Sequence, residues 1–420
     1  MSPGGRNPAE TVDALVIGAG HSGLAVSHCL AERGVEHVVI ERGVIANSWR
    51  TERWDSMTLL TPNWLATLPG YRYRGDDPDG FMTGRQVARF IEEYAERELA
   101  PVRSGTQVTA VLAVDDQFRV ETDRGAWHTS AVVLATGGFN VPSKPACAAD
   151  LPESLAQFTP HDYRSPAQLP EGGALVVGAS ATGLQIADEI HRSGRPVTLA
   201  VGEHVRMPRV YRGRDIYWWM LRLGLMDERY DEVEDLVRAR NLPSPQLVGT
   251  PERRSLNLNS LVDQGVRLVG RLAAVRNGRA LFSGGLRNVC ALADLKMNRL
   301  LNEIDEWIES QAGAVEALAK ERFENTRVAH PPVLGLDLEK EGFGSVLWAT
   351  GFHPDYSWLK LPALDRKGMV RHDGGVVTEV PGLYLLGLQF LRKRKSSFMH
   401  GAEDDARHIA AHLSQYLRQR

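Results

Sequence analysis

Two stretches of the chain decide its fold: residues 14–42, ALVIGAGHSGLAVSHCLAERGVEHVVIER, and residues 174–202, ALVVGASATGLQIADEIHRSGRPVTLAVG. They align without a gap at an offset of 160 residues (174 − 14). Each has an apolar, β-branched run, a glycine-rich turn, an amphipathic stretch and a second apolar run. This order predicts a β-strand, an α-helix and a parallel β-strand, the unit that binds dinucleotides. We therefore expect an α/β chain with two Rossmann-like dinucleotide-binding domains.

The residues of the first turn fit the needs of a bound diphosphate. Gly18 makes the tight turn out of the strand, Gly20 lets the backbone approach a pyrophosphate, and Gly23 lets the helix pack on the strand. His21 and Ser22 open that helix, whose N-terminus offers unpaired N–H groups and a partial positive charge. We predict that these five residues bind a cofactor.

The end of the second strand supplies a carboxylate at the expected place. Glu41 stands 23 residues after Gly18 (41 − 18), where an acid accepts hydrogen bonds from ribose hydroxyl groups. A loop that only turned the chain would not need this acid. Arg42 follows directly and is included among the predicted cofactor-binding residues.

The second turn repeats the design with one change. Gly178 and Gly183 match the first and third glycines, but Ser180 replaces the middle one. Its hydroxyl can donate to a phosphate, while its Cβ limits how near the backbone comes. Together with Ala181 and Thr182, these residues are predicted to bind a second dinucleotide.

The second unit favours NADPH over NADH. Val201 stands where the first unit has Glu41, so no carboxylate repels a 2′-phosphate. Arginines in the following segment are suited to clamp such a phosphate, with Arg206 as the first choice. A solvated loop is the alternative, and the contact residue stays open among Arg206, Arg209, Arg212 and Arg214.

Three further glycines follow apolar runs that read as strands. Gly137 and Gly351 end two similar segments, each reading Ala-Thr-Gly, and Gly387 ends the run GLYLLG. Small residues after a strand let the chain pass close to a cofactor. All three are predicted to border one. The stretch 287–310 has apolar residues at helical spacing, among them Leu292 and Leu295, which predicts a helix facing the core.

Composition narrows the class of protein. A chain of 420 residues has room for two or three domains, and a net charge of −3 gives no reason to expect a nucleic acid partner. The cysteines, Cys29, Cys147 and Cys290, lie far apart, which disfavours disulfides, a metal site and a redox dithiol. The start, MSPGGRNPAE, lacks the apolar core of a signal peptide, and no apolar run reaches the roughly 18 residues of a membrane span. We expect a cytoplasmic protein that binds no membrane and no metal.

Several motifs in fixed order resemble the flavin-containing monooxygenases, including the plant auxin-forming members, and more loosely the Baeyer–Villiger monooxygenases. The resemblance covers most of the chain. The motifs are GAGHSG (18–23), IERGVIANSWR (40–50), TPNWLATLP (61–69), LATGG (134–138), YRSP (163–166), VVGASATG (176–183), LWATGF (347–352) and GLYLLGL (382–388).

The resemblance implies an FAD-binding domain made of residues 1–150 and 331–420, with an NADPH-binding domain of residues 165–330 inserted in it. It also implies a reaction, in which NADPH reduces the flavin and dioxygen forms a C4a-hydroperoxide on it. That species passes one oxygen atom to a small organic substrate, while the protein supplies positioning, electrostatics and exclusion of water. Whether the chain forms a homo-oligomer stays open.

The resemblance also assigns roles to single residues. Gly18, Gly20, Gly23 and Glu41 correspond to positions that hold FAD. Trp49 and Arg50 match a segment that runs along the flavin. Asn63 falls near an asparagine that faces the flavin and its oxygen adduct, which makes it the candidate catalytic residue; a turn residue beside Pro62 is the alternative.

One segment departs from the family pattern. Monooxygenases of this group carry Phe-x-Gly…His…Tyr before the second glycine-rich turn, whereas residues 158–164 read FTPHDYR. The glycine is absent, and His161 lies only two residues before Tyr163. Three hypotheses therefore stay open: a monooxygenase, a flavoprotein reductase or oxidase without oxygen transfer, and a non-enzymatic dinucleotide sensor.

Overall fold

A computed structural model describes residues 10–420. Residues 1–9 lie outside the described part, and with them most of the stretch MSPGGRNPAE on which the expected absence of a signal peptide is based. In the described part the strands are β1 (Glu10–Ile17), β2 (His37–Ile40), β3 (Thr67–Leu68), β4 (Tyr71–Arg72), β5 (Val102–Arg103), β6 (Val108–Val114), β7 (Gln117–Thr122), β8 (Gly125–Leu134), β9 (Val141–Pro142), β10 (Ala156–Phe158), β11 (Gly173–Val177), β12 (Val197–Val201), β13 (Val210–Tyr211), β14 (Arg214–Asp215), β15 (Arg267–Gly270), β16 (Leu272–Arg276), β17 (Arg279–Phe282), β18 (Gly335–Asp337), β19 (Phe343–Trp348), β20 (Phe352–His353) and β21 (Leu383–Leu385). The α-helices there are α1 (His21–Ala31), α2 (Asn47–Thr51), α3 (Gly84–Arg97), α4 (Ala181–Arg192), α5 (Ile216–Arg222), α6 (Leu236–Arg240), α7 (Leu258–Gln264), α8 (Leu286–Ser310) and α9 (Met399–Arg418).

The first sheet combines a parallel and an antiparallel part. Strands β5, β2, β1, β8 and β21 run parallel in that order. On the side of β21, the first half of β8 pairs with β7 in an antiparallel meander that continues to β6, while its other side stays paired with β1. Residues 14–17 of β1 are buried, as expected for the continuous apolar run of a parallel strand covered on both faces.

The second sheet is wholly parallel, in the order β10, β19, β11, β12, β15. Its central pair repeats the central pair of the first sheet: Val177 of β11 pairs with Ala200 of β12, as Ile17 pairs with Ile40. Every residue of β11 and β12 is buried. The predicted α/β fold with two Rossmann-like units is confirmed.

The chain order shows the predicted insertion. Residues up to Leu134 build the first sheet, the second sheet follows, and β21 returns to β8 before α9 packs against α1. The second sheet reaches Trp348 through β19, beyond residue 330, where the sequence analysis ends the inserted domain. The division at residues 150, 165 and 330 stays a prediction.

Helix α8 buries only part of the face that the sequence indicates. Its buried stripe contains Met297, Leu301 and Ile304, whereas Leu292 and Leu295 are each 47% exposed. The core prediction was wrong for these two leucines, because a helix resting on one side of a domain buries one stripe only. Within residues 10–420, no helix is both long and apolar enough to cross a bilayer.

Helix α9 carries a buried acid. Asp405 is 1% exposed on this helix, and burial raises the pKa of its carboxyl group from 3.8 to about 6. The folded protein therefore holds a proton on Asp405 that the unfolded chain has already released between these two pH values. Stability falls as the pH rises through this window.

Replacing Asp405 by Asn is expected to stabilise the protein at about pH 8, because Asn matches the neutral form that burial favours. A raised pKa of about two units corresponds to at most about 3 kcal/mol, at about 1.36 kcal/mol per unit. Urea unfolding of both proteins at about pH 8 and about pH 4 measures the difference in their free energies of unfolding. This difference should be smaller at about pH 4 than at about pH 8.

The neighbouring residue provides the control. Burial works against ionisation of Asp404, but hydrogen bonds from Lys393 and Lys395 hold the pKa of its carboxyl group below the usual range. Asp404→Asn should therefore lower stability at about pH 8. A stability gain for Asp405→Asn that is the same at both pH values would contradict the burial explanation.

Candidate active site

Two helices begin at the wall of one cavity of about 400 Å³. Helix α1 starts after Gly20 and helix α4 after Ser180, and neither N-terminus is capped by a side chain of that residue. The first amides of both helices therefore remain available to a ligand. The lining includes Gly18, Gly20, His21 and Ser22 from the first unit and Ala181 and Thr182 from the second.

The first glycine of each turn fits against a neighbouring strand end. Gly18 has φ +108°, and a Cβ there would lie 2.7 Å from the carbonyl oxygen of Ala135. Gly178 has φ +110°, and a Cβ there would collide with the carbonyl oxygen of Ala349. Both neighbours belong to the Ala-Thr-Gly segments. Those segments thus cross directly over the glycine-rich turns, which explains why the sequence repeats them.

The middle position of each turn has another requirement. Gly20 (φ −83°, ψ −177°) and Ser180 (φ −79°, ψ −175°) have the same extended backbone, which any residue adopts. A Cβ on Gly20 would meet no atom within 4 Å. Glycine at this position is therefore not required by the packing of the protein itself; it keeps space in the cavity free.

Glu41 lies under the first turn at the edge of the same cavity. Its carboxylate accepts hydrogen bonds from the backbone N–H groups of Ala19 and Gly43, both at 2.9 Å. A carboxylate has about four acceptor positions, so further ones remain for ribose hydroxyl groups. Next to it, Arg42 forms an ion pair with Glu52 and also lines the cavity.

Several buried polar atoms around the cavity have no hydrogen-bond partner in the described chain. They are Ser22 Oγ, His21 Nε2, Thr136 Oγ1 and Trp54 Nε1. Burial also lowers the pKa of His21 to about 4, so its ring is neutral at physiological pH. Each orphaned group costs about 1–3 kcal/mol unless a ligand pairs with it. The cavity is thus suited to a ligand rich in hydroxyl, amide and phosphate groups, as FAD is.

Most of the predicted residues meet at this cavity. The predicted residues that line it are Gly18, Gly20, His21, Ser22, Glu41, Arg42, Trp49, Gly137, Ala181, Thr182 and Gly387. A second group lies outside the lining in the same two turns: Gly23, Gly178, Ser180 and Gly183. Gly351 is also outside the lining and is exposed. Arg50 is outside the lining and pairs with Glu92.

Asn63 does not face the cavity. It is 4% exposed, its Nδ2 donates to the carbonyl oxygen of Asp77 at 2.9 Å, and its Oδ1 accepts from the N–H of Met82 at 2.8 Å. Its backbone N–H donates to Gly80. Both ends of the amide thus hold the loop of residues 77–82. This geometry agrees with a structural role rather than with the predicted catalytic one.

Arg206 is likewise not offered to a phosphate. Its guanidinium is 5% exposed and forms an ion pair with Asp294, with a further hydrogen bond of 2.8 Å to the carbonyl oxygen of Glu324. Arg209 is fully buried and Arg212 is paired with Asp305. A clamp on a 2′-phosphate by Arg206, Arg209 or Arg212 does not agree with these placements, because a basic run in sequence does not reveal which side chains fold inward. Arg214, the fourth candidate, is exposed, and its role stays a prediction.

The structure adds lining residues that the sequence analysis missed. Among them are Trp54, Met57, Leu59, Leu60, Phe139, Asn140, Gln185, Phe352, Trp358, Phe398 and Met399. Many lie in irregular segments, where no helical or strand period marks a face. Their one sequence signal is proximity to the quoted motifs, as with Leu59 and Leu60 just before TPNW. No group of three His, Cys, Asp or Glu side chains in residues 10–420 is placed to hold a metal ion.

Asn63→Ala is expected to lower the free energy of unfolding by about 1–3 kcal/mol, because it leaves the buried N–H of Met82 unpaired and removes the hydrogen bond to the carbonyl oxygen of Asp77. Urea unfolding measures this loss. As a control, Asn302→Ala on the exposed face of α8 should change the free energy of unfolding by less than about 0.5 kcal/mol. NADPH oxidation per bound flavin should stay unchanged in Asn63→Ala. Unchanged stability together with a large loss of that activity would restore the catalytic role.

Gly20→Val is expected to lower FAD affinity at least about tenfold with little loss of apoprotein stability, because the new side chain enters cavity space and its Cβ meets no protein atom within 4 Å. Equilibrium dialysis with FAD and thermal unfolding of the apoprotein measure the two effects. The matched control lies at the other end of α1, where Gly34 has φ +67°.

The Gly34→Ala control should show the reverse pattern. A left-handed conformation disfavours Ala, so stability should fall by about 1 kcal/mol while FAD affinity stays the same. If Gly20→Val binds FAD as tightly as the wild-type protein, the first turn is not the diphosphate site.

Comparisons with known proteins agree with this geometry. A model of the pyridine nucleotide-disulphide oxidoreductase family matches residues 15–213. The "Uncharacterized oxidoreductase CzcO-like" of Geobacillus kaustophilus is 31% identical over 401 residues, which cover 95% of this chain and 97% of that protein. The indole-3-pyruvate monooxygenase YUCCA6 of Arabidopsis thaliana is 25% identical over 96% of this chain and 91% of its own length.

A solved structure has the same fold. The flavin-containing monooxygenase from Stenotrophomonas maltophilia superposes with a TM-score of 0.66 at 20% identity, over 97% of this chain and 99% of that one. The expected cofactors, FAD and NADPH, agree with the family match and with this fold. The chain belongs to the family of CzcO-like oxidoreductases, and in sequence and fold it is also similar to flavin-containing monooxygenases.

Proposed function

We propose that the protein is an NADPH-consuming monooxygenase that transfers one oxygen atom from dioxygen to a small organic substrate. One observation carries this proposal: the uncapped N-termini of α1 and α4 border a single cavity. Two dinucleotides held by their diphosphates at these helices would therefore meet in the same space. That arrangement suits direct hydride transfer between them.

The first unit is proposed to hold FAD. Amides at the start of α1, with Gly20 leaving the space free, would bind the diphosphate, and Glu41 would accept from the ribose hydroxyl groups. Ser22 and Thr136 each bring an unpaired hydroxyl to the cavity wall. When bound, FAD supplies the redox chemistry of the reaction, taking electrons from NADPH and activating dioxygen.

The second unit is proposed to hold NADPH. Ala181 and Thr182 open α4 at the cavity and would offer their amides to its diphosphate. Val201 ends β12 without a carboxylate, so nothing at that point repels a 2′-phosphate. The buried Arg206 takes no part in this preference.

The apolar part of the cavity lining suits an oxygen-transfer site. Met57, Leu59, Leu60 and Phe398 give it an apolar surface. Apolar side chains keep water away from a reactive oxygen species, so that the oxygen atom reaches the substrate instead of leaving as hydrogen peroxide. A small, largely uncharged organic molecule is the substrate class that such a wall favours.

A reductase or oxidase without oxygen transfer is the second candidate. It is favoured by the departure at residues 158–164, where Pro160 rather than a glycine is near the cavity lining. There His161 Nε2 lies 3.9 Å from Glu52 Oε2. A disulfide reductase is disfavoured, because none of the three cysteines lines the cavity and Cys29 and Cys290 are buried.

The FAD-loaded protein should oxidise NADPH faster in the presence of at least one probe among methyl phenyl sulfide, N,N-dimethylaniline and cyclohexanone. These probes report oxygen transfer to sulfur, nitrogen and a carbonyl compound. With ¹⁸O₂ as the gas, mass spectrometry should find one labelled oxygen atom in the product, because a monooxygenase takes that atom from dioxygen.

Gly20→Val supplies the control for flavin dependence, since it should load little FAD. If every probe leaves the NADPH rate unchanged and all electrons appear as hydrogen peroxide, the oxidase is the correct assignment. A label found only after incubation with H₂¹⁸O would also count against oxygen transfer from dioxygen.

A further inference from the structure

One wall of the cavity is held from the opposite domain. Leu59, Leu60 and Thr61 belong to the part of the chain that precedes the insertion and lie in an irregular segment at the cavity. Two hydrogen bonds join this segment and the preceding Thr58 to the inserted part. Thr58 Oγ donates to the carbonyl oxygen of Gly249 at 2.8 Å, and the carbonyl oxygen of Leu60 accepts from Arg209 Nη1 at 2.6 Å.

The side chain of Arg209, which bonds to the cavity wall, is held in place by its own neighbours. Its side chain is 0% exposed, and its Nη2 lies 2.7 Å from the carboxylate of Asp215. The guanidinium carbon lies 4.9 Å from the ring centre of Phe81 and 5.7 Å from that of Tyr217. A buried guanidinium is stable only when it is paired and enclosed in this way. Nη1 presents its donor to Leu60, while Nε has no hydrogen-bond partner in the described chain.

The segment that carries Arg209 is tied to the second glycine-rich turn. Gln246 is fully buried, its backbone N–H donates to the carbonyl oxygen of Val205 at 2.8 Å, and its Nε2 donates to that of Ala179 at 2.8 Å. Ala179 lies inside the turn. The chain of bonds thus leads from the turn through Gln246 to the segment of Arg209, and from Arg209 to the cavity wall.

We propose that Arg209 is a positioning residue, which fixes the wall of residues 59–61 relative to the second dinucleotide turn and so closes the cavity to solvent. The inference deepens the proposed function and rests on it in one respect, the assignment of the cavity to FAD and substrate. Arg209 does not line the cavity. Its effect passes through the carbonyl oxygen of Leu60.

Arg206 offers a matched control three residues away. It is also an arginine, 5% exposed and paired with an aspartate, but its partners Asp294, Glu324 and Thr326 all belong to the inserted part of the chain. Replacing Arg206 or Arg209 by Lys keeps the positive charge but replaces the planar fork, which bonds two partners at once, by a single ammonium nitrogen. The variants thus share their cost in stability and differ in the contact to the wall.

Iodide quenching of the fluorescence of bound FAD tests the proposal without any need for oxygen transfer. Arg209→Lys should raise the quenching constant about threefold or more, because a loosened wall admits solvent and solute to the flavin, while Arg206→Lys should leave it near the wild-type value. If Arg209→Lys does not fold, Thr58→Val removes the other bond to the wall and should raise the constant in the same direction by a smaller factor. Equal constants in all folded variants would overturn the proposal.

Turnover gives a second readout. With a probe that the wild-type protein oxygenates, Arg209→Lys should raise KM for the probe and the share of NADPH electrons that end in hydrogen peroxide, with little change in the rate of flavin reduction by NADPH. Arg206→Lys should show neither effect. If the wild-type protein oxygenates no probe, the proposed function fails, but the quenching experiment still decides the role of Arg209.

Discussion

Both dinucleotide sites depend on one packing constraint, the close approach of each helix to the turn that precedes it. A Cβ at Gly23 would collide with the carbonyl oxygen of Gly18, and a Cβ at Gly183 with that of Gly178. Glycine at these positions lets α1 and α4 start directly at the end of β1 and β11. The first turn of each helix then borders the cavity with amides that its own residues do not use.

The constraint extends to the third strand of each unit. The N–H of Ala135 donates to Ile17 at 2.9 Å, and that of Ala349 donates to Val177 at the same distance. Each Ala-Thr-Gly segment is thereby fixed over its glycine-rich turn, and the two units differ mainly at the ligand side. A glycine and a glutamate in the first unit are replaced by Ser180 and Val201 in the second. The scaffold is therefore shared, while the choice of cofactor depends on a few side chains.

Features that follow from local chemistry were predictable from the sequence. The two β-α-β units, the insertion and most of the turn residues at the cavity follow from glycine spacing and strand-like runs, which act within some 30 residues. Asn63 and Arg206 were not predictable in this way. Asn63 is fixed by the loop of residues 77–82, and Arg206 by Asp294, 88 residues away in sequence. Such partners depend on tertiary packing, which the motif around a residue does not contain.

The same reasoning explains why a run of arginines is a poor guide to a phosphate site. A guanidinium at the surface is available to a phosphate, but one that is buried must already have its partners, because an unpaired buried charge is strongly disfavoured. Arg209 has a carboxylate, two aromatic rings and a carbonyl oxygen around it. Its charge is already paired inside the protein, so it can contribute to function only by holding its partners in place. A buried arginine that joins two domains is therefore better suited to hold a cavity wall than to bind an incoming anion.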